Sequence, residues 1–517
     1  MTVRHLAVAA TIVAFFTVAS RILGFVRDIV LSGTFGASAE ADAFVSSLLI
    51  VNSAAAVLLY TLVTVVIPRF QAERTDYGEP SAWRLAWTLA AWVATLLVIF
   101  AGFLAVFPQA AASLYRINPE LAAASEPLIR IMAPAVLLQG LSALSTALLQ
   151  IHGRFAGPAA VGVAFNAGII GGVLIGSDAI GIEAAAWGVT AGALLQLALQ
   201  MPQFARLMRG VGVTVTLTHP RLTMTALLAA PVFAASLLQQ VNNFSDKIFA
   251  ATLEDGRVAA LTWANTLGQA PRALLLLPVL TPLFPLIARL VAEGRRPEVV
   301  GAYRRAAGLL GVLGIPVGAF LIVYAQEVSS LLFERGKCDD ECVSEIAAPL
   351  QFYGLAVWAG FMGFLHNRVL SAVGRTREVM IATIVVVAVT IALDFLLIGP
   401  LEQSGLALAS AIALFVNVAV TFTFLRREFP ALDPAPLALQ QLRLVVAALV
   451  AVGAVLVADL LLPSEAASGL ELAGALILKS VLGALAYGAA VRVIAPEDFA
   501  HARATVASAL RRRSAPA

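Results

Sequence analysis

"HGRFAGPAAVGVAFNAGIIGGVLIG" (152–176) is echoed further along the chain by "VGRTREVMIATIVVVAVTIALDFLLIG" (373–399). Both stretches contain a Gly-Arg pair near the start, Gly153-Arg154 and Gly374-Arg375. Both end on Leu-Ile-Gly, at Leu174–Gly176 and Leu397–Gly399. A further glycine follows each, Gly181 and Gly405, and the offset stays near 221–224 residues. "TLVTVVIP" (61–68) and "PVLTPLFP" (278–285) echo at an offset near 217. Between the marks lie apolar runs of about 20 residues, the length a helix needs to cross a bilayer. Backbone groups in hydrocarbon must pair within their own segment, so such runs are helices. Their Ala/Leu-rich character does not fit the alternating strands of an outer-membrane barrel.

Working outward, about fourteen such segments follow one another, from 7–34 to 472–494. The repeat offset spans six of them. Six is even, so the two copies share one orientation and are related by an axis along the membrane normal. The expected fold is an all-α polytopic membrane protein with two six-helix lobes related by pseudo-two-fold symmetry and a C-terminal helix pair. The expected domains are 1–222, 223–430 and 431–517.

Composition agrees with this expectation. The 517-residue chain is 60% hydrophobic and 13% charged, with a mean hydropathy of +0.91, whereas soluble domains carry about 25% charged residues. The net charge of +3 calls for no nucleic-acid partner. Placing the N-terminus inside puts "RLMRG", "EGRRPEVVGAYRR", "GRTRE", "LRREF" and "RRRS" on the cytoplasmic side. Arg116, Arg257, Arg335 and Lys337 are then the outer basic residues. This bias follows the positive-inside rule and puts both termini in the cytoplasm. The continuing apolar pattern past Arg21 argues against a cleaved leader. Cys338 and Cys342 in "GKCDDEC" are too few for a structural zinc site and leave a local disulfide or two thiols open. No loop is long enough for a catalytic domain and no G-x-x-x-x-G-K-[ST] loop occurs. A transporter is expected rather than an enzyme.

Charges within the spans are few: Arg21, Arg27, Asp28, Asp42, Arg130, Asp246, Lys247, Arg272, Asp394 and Lys479. Each costs about 2.5–3.5 kcal/mol at a helix centre, so each needs a wet cavity or a partner. In "SRILGFVRDIVLSGTFGASAEADAF" (20–44) Arg21 and Asp28 lie seven residues apart on one helix face, and Arg27 points about 120° away. The expected pair is therefore Arg21 with Asp28, leaving Arg27 to present its fork to an anion in a cavity. Gln239, Gln240, Asn242 and Asn243 read as polar glue between helices. Lys479 reads as a lysine snorkelling to the interface, and Arg130 as lying near the wall of the fourth helix.

"SRILGFVRDIVLSGTFGASAEADAFVSSLLIVN", "LLQIHGRFAGPA", "LLFERG" and "LLIGPLEQSGLALASAIALFVNV" resemble the MurJ/MviN family of lipid II flippases, within the multidrug/oligosaccharidyl-lipid/polysaccharide exporter superfamily. The resemblance runs along nearly the whole chain. It implies a two-lobed fold with a central cationic cavity, a groove at the last two helices for a polyprenyl tail, and alternating access. On it, Arg21, Arg27, Asp42 and Asn52 match family positions, and together with Asp28 and Arg272 they are expected to bind substrate. The family's usual arginine pair after that Asn is replaced by Ala55 and Ala56, and an arginine of the eighth helix by Thr266, which marks a divergent member.

The same resemblance implies a sodium site, with Asp246, Thr390, Asp394 and Ser410 as side-chain ligands and the Leu406 carbonyl completing it. All are oxygen donors, as a hard cation requires. A proton could take the ion's place between two carboxylates. The expected function is a cation-coupled (Na+ or H+) flippase for an undecaprenyl-pyrophosphate-linked peptidoglycan precursor, lipid II, working as a monomer in the bacterial cytoplasmic membrane. Membrane lipids and cell-wall synthesis proteins are its expected partners. The alternatives are a flippase for another lipid-linked glycan, a cation-coupled exporter of soluble amphiphiles, and a non-transporting cell-wall scaffold.

Overall fold

A computed structural model of the chain describes residues 3–115, 118–209, 216–461, 469–501 and 503, without the side chains of 3–10, 239, 242, 273, 277–282, 284, 461 and 470. Arg116, the side chains of Gln239 and Asn242, and the Arg-rich tail therefore lie outside the described residues.

Among the described residues, eleven helices are long and apolar enough to cross a membrane. One of them, Thr376–Glu428, is two helices joined across a kink at Glu402. At 1.5 Å per residue its 53 residues run about 80 Å, more than two bilayer cores. Val3–Phe35 has 33 residues. Arg257–Pro271 passes through a π-helical stretch, Arg272–Leu276, into Leu277–Ala292 without a break. The passes are thus α1 (Val3–Phe35), α2 (Ala39–Tyr77), α3 (Glu79–Val106), α4 (Pro119–Ile151), α5 (Ala156–Ile180), α6 (Glu183–Met208), α7 (Leu222–Ala250) and α8 (257–292). They continue as α9 (Arg296–Val323), α10 (Asp340–Ala372), α11 and α12 (376–401 and 403–428), α13 (Pro434–Leu461) and α14 (Gly469–Ile494). The expected fourteen-helix architecture is borne out. Ile175 is 88% exposed and Leu460 82%, the outward apolar surface of a protein whose solvent is lipid.

The repeat is visible in the turns. Positive φ recurs at Gly36 and Gly256, Gly78 and Gly294, Gly153 and Gly374, and Gly181 and Glu402. Gly181 (φ 58°, ψ −138°) ends α5, and Glu402 (φ 50°, ψ −136°) separates α11 from α12. The same backbone turn is made by a glycine in the first copy and a glutamate in the second. Glycine takes this conformation freely, whereas a side chain there is strained.

Residues 1–259 with 335–339 form one compact unit, and residues 260–334 with 340–517 another. Within the first, α5 and α6 cross at glycines. A Cβ on Gly172 would lie 2.5 Å from the Ala184 carbonyl oxygen, and one on Gly188 would lie 2.8 Å from that of Gly168. This is the small-residue packing that replaces hydrophobic driving force between helices in lipid. The segment leading into α7 is pinned to the end of α2 and the middle of α3. The Arg221 guanidinium stacks 4.3 Å from the Tyr77 ring and faces buried Glu73 at 3.4 Å, and Trp92 Nε1 donates to the Leu217 carbonyl. The 335–339 turn closes on the end of α1, where the Lys337 N–H donates to Gly33 O at 2.8 Å.

Within the second unit, α13 and α14 pack on α9. Leu444, Ala447, Ala448, Tyr487 and Val491 enclose a core with Val312 and Ile315. Both cysteines, Cys338 and Cys342, are disulfide-bonded. Lys479 pairs with Asp459 at 3.2 Å and lies over the Tyr324 ring.

Candidate functional site

In the first unit, α1 enters with Arg21 and Arg27 on different faces. Arg27 is held on three sides. Its Nε and Nη2 donate to Asp28 Oδ1 at 2.9 and 2.7 Å, and its Nη1 donates to Asn166 Oδ1 of α5 at 3.2 Å. The Asn166 amide in turn donates to Gly162 O at 2.9 Å and to Ser20 O at 3.3 Å. Gly162 leaves the space for this: a Cβ there would sit 2.2 Å from Ser20 Oγ. One buried amide thus locks the guanidinium and clamps α1 to α5.

This overturns the expected Arg21–Asp28 pair. Seven residues bring side chains to one face but separate them by about 10 Å along the axis. Adjacent residues lie about 100° apart at nearly one height, and a long arginine can curl across that angle. Arg21 is exposed, and among the described residues no hydrogen bond or ion pair is seen to engage it. Arg27 is the braced arginine of α1, and Arg21 is the exposed one.

Asp42 is 5% exposed. Its Oδ2 accepts from the Gly256 N–H at 2.8 Å and its Oδ1 from the Ala259 N–H at 2.7 Å. Both oxygens satisfy the free amides at the start of α8, where a negative charge also suits the helix dipole. The geometry gives Asp42 an architectural task. Asn52 Oδ1 accepts from Gln139 Nε2 of α4 at 3.5 Å. One residue on, Ser53 Oγ donates to Gln240 Oε1 of α7 at 3.1 Å, and Asn243 Nδ2 donates to the same oxygen. Ala55 is buried and Ala56 exposed. Arg130 is exposed, with Nε on the Ala105 carbonyl. On α7, Asp246 and Lys247 are both buried, and Lys247 lies within electrostatic reach of Asp246, Asp42 and Asp28.

In the second unit, Arg272 is exposed and opens the π-helical stretch directly after Pro271. A proline lacks its N–H and crowds the preceding turn, and a widened turn accommodates both. The Thr266 hydroxyl is turned to Thr262 O of its own helix. On α11, Thr390 and Asp394 are buried one turn apart. Thr390 Oγ1 donates to Val386 O at 3.0 Å, which leaves its lone pairs free to face a cation. Leu406 is buried and Ser410 half-buried on α12. Of the expected cation ligands, Asp246 belongs to the first unit and the other four to the second.

A cavity of about 710 Å³ also lies in the second unit, between α9, α10, α12 and α13. Its walls are apolar, among them Ile315, Trp358, Phe415 and Val445. At one end Tyr303 Oη lies 2.7 Å from His366 Nε2. His366 Nδ1 lies 2.9 Å from Thr421 Oγ1, and Thr421 donates to Asn417 O. Because the threonine proton is committed, His366 Nδ1–H donates to Thr421 and Nε2 accepts from Tyr303. Asn166 and the His366 chain were missed in the sequence. The signal for each was a lone polar side chain in an apolar run.

Repeated helix sets, an added pair, and charges buried in clamps define a multi-pass membrane transporter. The family model "Lipid II flippase MurJ" matches residues 31–474. A "Probable lipid II flippase MurJ" of Rhizobium meliloti is 27% identical over 465 residues, covering 86% of this chain and 84% of the relative. A "Lipid II flippase MurJ" of Burkholderia cenocepacia is 24% identical over 431 residues, covering 80% of this chain and 82% of the relative. A solved structure of lipid II flippase MurJ in an inward closed conformation superposes with a TM-score of 0.79 at 18% identity, covering 93% of this chain and 99% of that one. An inward-facing multidrug resistance MATE transporter superposes at 0.66 with 16% identity, covering 81% and 98%. The chain belongs to the lipid II flippase MurJ family, whose members are transporters and not catalytic enzymes.

Proposed function

We propose that this chain moves undecaprenyl-pyrophosphate-linked peptidoglycan precursor, lipid II, from the inner to the outer leaflet of the bacterial cytoplasmic membrane, with both termini cytoplasmic. The observation that carries this reading is the division of labour on α1. Arg21 is exposed and ready to take a pyrophosphate oxygen pair, while Arg27, Asp28 and Asn166 hold the helix that bears it. Asn52 adds a contact for the headgroup, and Asp42 acts by pinning α2 to the start of α8. The apolar cavity beside α13 suits the polyprenyl tail. Thr390, Asp394, Leu406 and Ser410 of the second unit would offer a Na+ ion oxygen donors of the kind it requires. That ion, or a proton, would supply the coupling for alternating access. The working unit is a monomer, and its partners are lipids and cell-wall synthesis proteins.

The test is complementation. A bacterium depleted of its own lipid II flippase and expressing this chain should again expose precursor on the outer face, and Arg21→Gln should abolish the rescue at equal membrane abundance. Rescue that is indifferent to Arg21→Gln would refute the role of Arg21. A second reading, a flippase for another lipid-linked glycan, is favoured by Ala55, Ala56 and Thr266, which remove three family cations. No rescue, with a different glycolipid co-purifying, would establish it.

A further inference from the structure

At the ends of α9, α13 and α14 that lie with the Arg-rich loops, a second cavity of about 360 Å³ opens. Arg304 and Arg305 of α9 line it, with Arg443 of α13 and His501 beyond α14. Arg304 Nη2 donates to Ala431 O at 2.9 Å, which stations one guanidinium at the wall. All three arginines are exposed. Two carboxylates share the lining, Glu497 and Asp498. Asp498 Oδ1 is tied to Gln440 Nε2 of α13 at 2.5 Å, beside Gly308, where a Cβ would meet both groups at 2.6 Å. This carboxylate therefore fastens the end of α14 to α13 and α9, and burial raises its pKa above the ordinary aspartate value. Three guanidiniums outweigh what remains, and the site is net positive.

The remaining wall is apolar, with Pro436, Leu437 and Leu439. Leu437 also lines the large apolar cavity, so a charged chamber and a greasy one share a side chain. A free phosphate would use only the first. A lipid would use both.

We propose that this chamber binds the phosphate of an anionic glycerophospholipid of the inner leaflet, with an acyl chain running past Leu437. Guanidinium forks match phosphate oxygens, and basic pockets between helix ends on the cytoplasmic side suit anionic headgroups. The site does not include Arg21, and it binds this phospholipid whatever substrate the chain flips.

The test is native mass spectrometry of the purified full chain, titrated with phosphatidylglycerol, phosphatidylcholine, undecaprenyl phosphate or inorganic phosphate. Each basic residue near the surface contributes about 1 kcal/mol, or about fivefold. Arg305→Gln and Arg443→Gln should each lower phosphatidylglycerol retention about fivefold and leave phosphatidylcholine unchanged. Arg295→Gln, the same charge change at a loop arginine paired with Glu293 and Glu298, should have no effect. Inorganic phosphate should not displace the lipid. Equal retention by wild type and pocket variants of unchanged melting temperature would overturn the proposal. So would an equal loss with Arg295→Gln, displacement by inorganic phosphate, or retention of undecaprenyl phosphate without phosphatidylglycerol.

Discussion

Asp28→Asn isolates the clamp on α1. The Asp28 side chain is 3% exposed and that of Arg27 19%, with 2.7 Å between them. Removing one partner of a fully buried pair costs about 3–5 kcal/mol. Two features reduce this: Arg27 keeps some solvent, and asparagine retains an oxygen for its Nη2. The expected loss is about 2–3 kcal/mol. A cooperative unit of about 250 residues shifts about 2 °C per kcal/mol, so the melting temperature of the purified chain should fall by about 4–6 °C. Size-exclusion recovery after a heating series reads this directly. Replacing both members, Arg27→Gln with Asp28→Asn, removes the orphaned charge and should restore most of the loss, as paired deletions of buried ions often do. Arg21→Gln should leave the melt unchanged within about 1 °C. If Asp28→Asn melts like wild type, or the double variant melts no higher than Asp28→Asn, Arg27 is not held as described.

Asp42→Ala strips two amides at the start of α8 of a buried acceptor. A cap is worth about 1–2 kcal/mol and a buried unsatisfied donor adds about as much. The variant should melt lower, with faster amide exchange at Gly256 and Ala259. Glu402→Gly relieves a side chain held at φ 50° and should raise stability by about 1 kcal/mol, seen as a higher melting temperature. Gly188→Val places carbon against the Gly168 carbonyl. It should separate α5 from α6 and reduce folded yield, whereas Val at Gly102, where nothing lies within 4 Å, should not. Deleting residues 440–517 removes α14 and most of α13, and should abolish rescue of precursor exposure.

The architecture was legible because bilayer thickness leaves few choices. Length and apolarity alone locate the passes, and the echo of 152–176 in 373–399 sets their order. Glycines at turns reinforce it, since Gly153 and Gly374 both need positive φ. The echo of Gly181 is less direct. Gly405 matches it by letter, but Glu402 repeats its backbone, and a sequence comparison weighs letters. Gly405 is kept for a different reason: a Cβ there would lie 2.3 Å from Leu397 O. Long-range partners were beyond reach in the same way. Nothing local says that Lys479 meets Asp459, or that Asp42 reaches the amides of Gly256 and Ala259.

The pairing of Asp28 with Arg27 rather than Arg21 shows where helical-wheel reasoning fails. A wheel compresses the axis, so positions seven apart look adjacent although two turns of rise divide them. Positions one apart look divergent although an arginine spans the gap. What decides the outcome lies off the wheel. Asn166 on α5 occupies the height of Arg27 and supplies the third contact, and Gly162 lets α5 come close enough to do so. A cation gripped by three hydrogen bonds is a poor ligand for a moving anion, because binding would first break bonds already made in a half-buried site. The same grip makes it a good support. With Arg27 fixed, the rotation of α1 is fixed, and with it the direction in which Arg21 points.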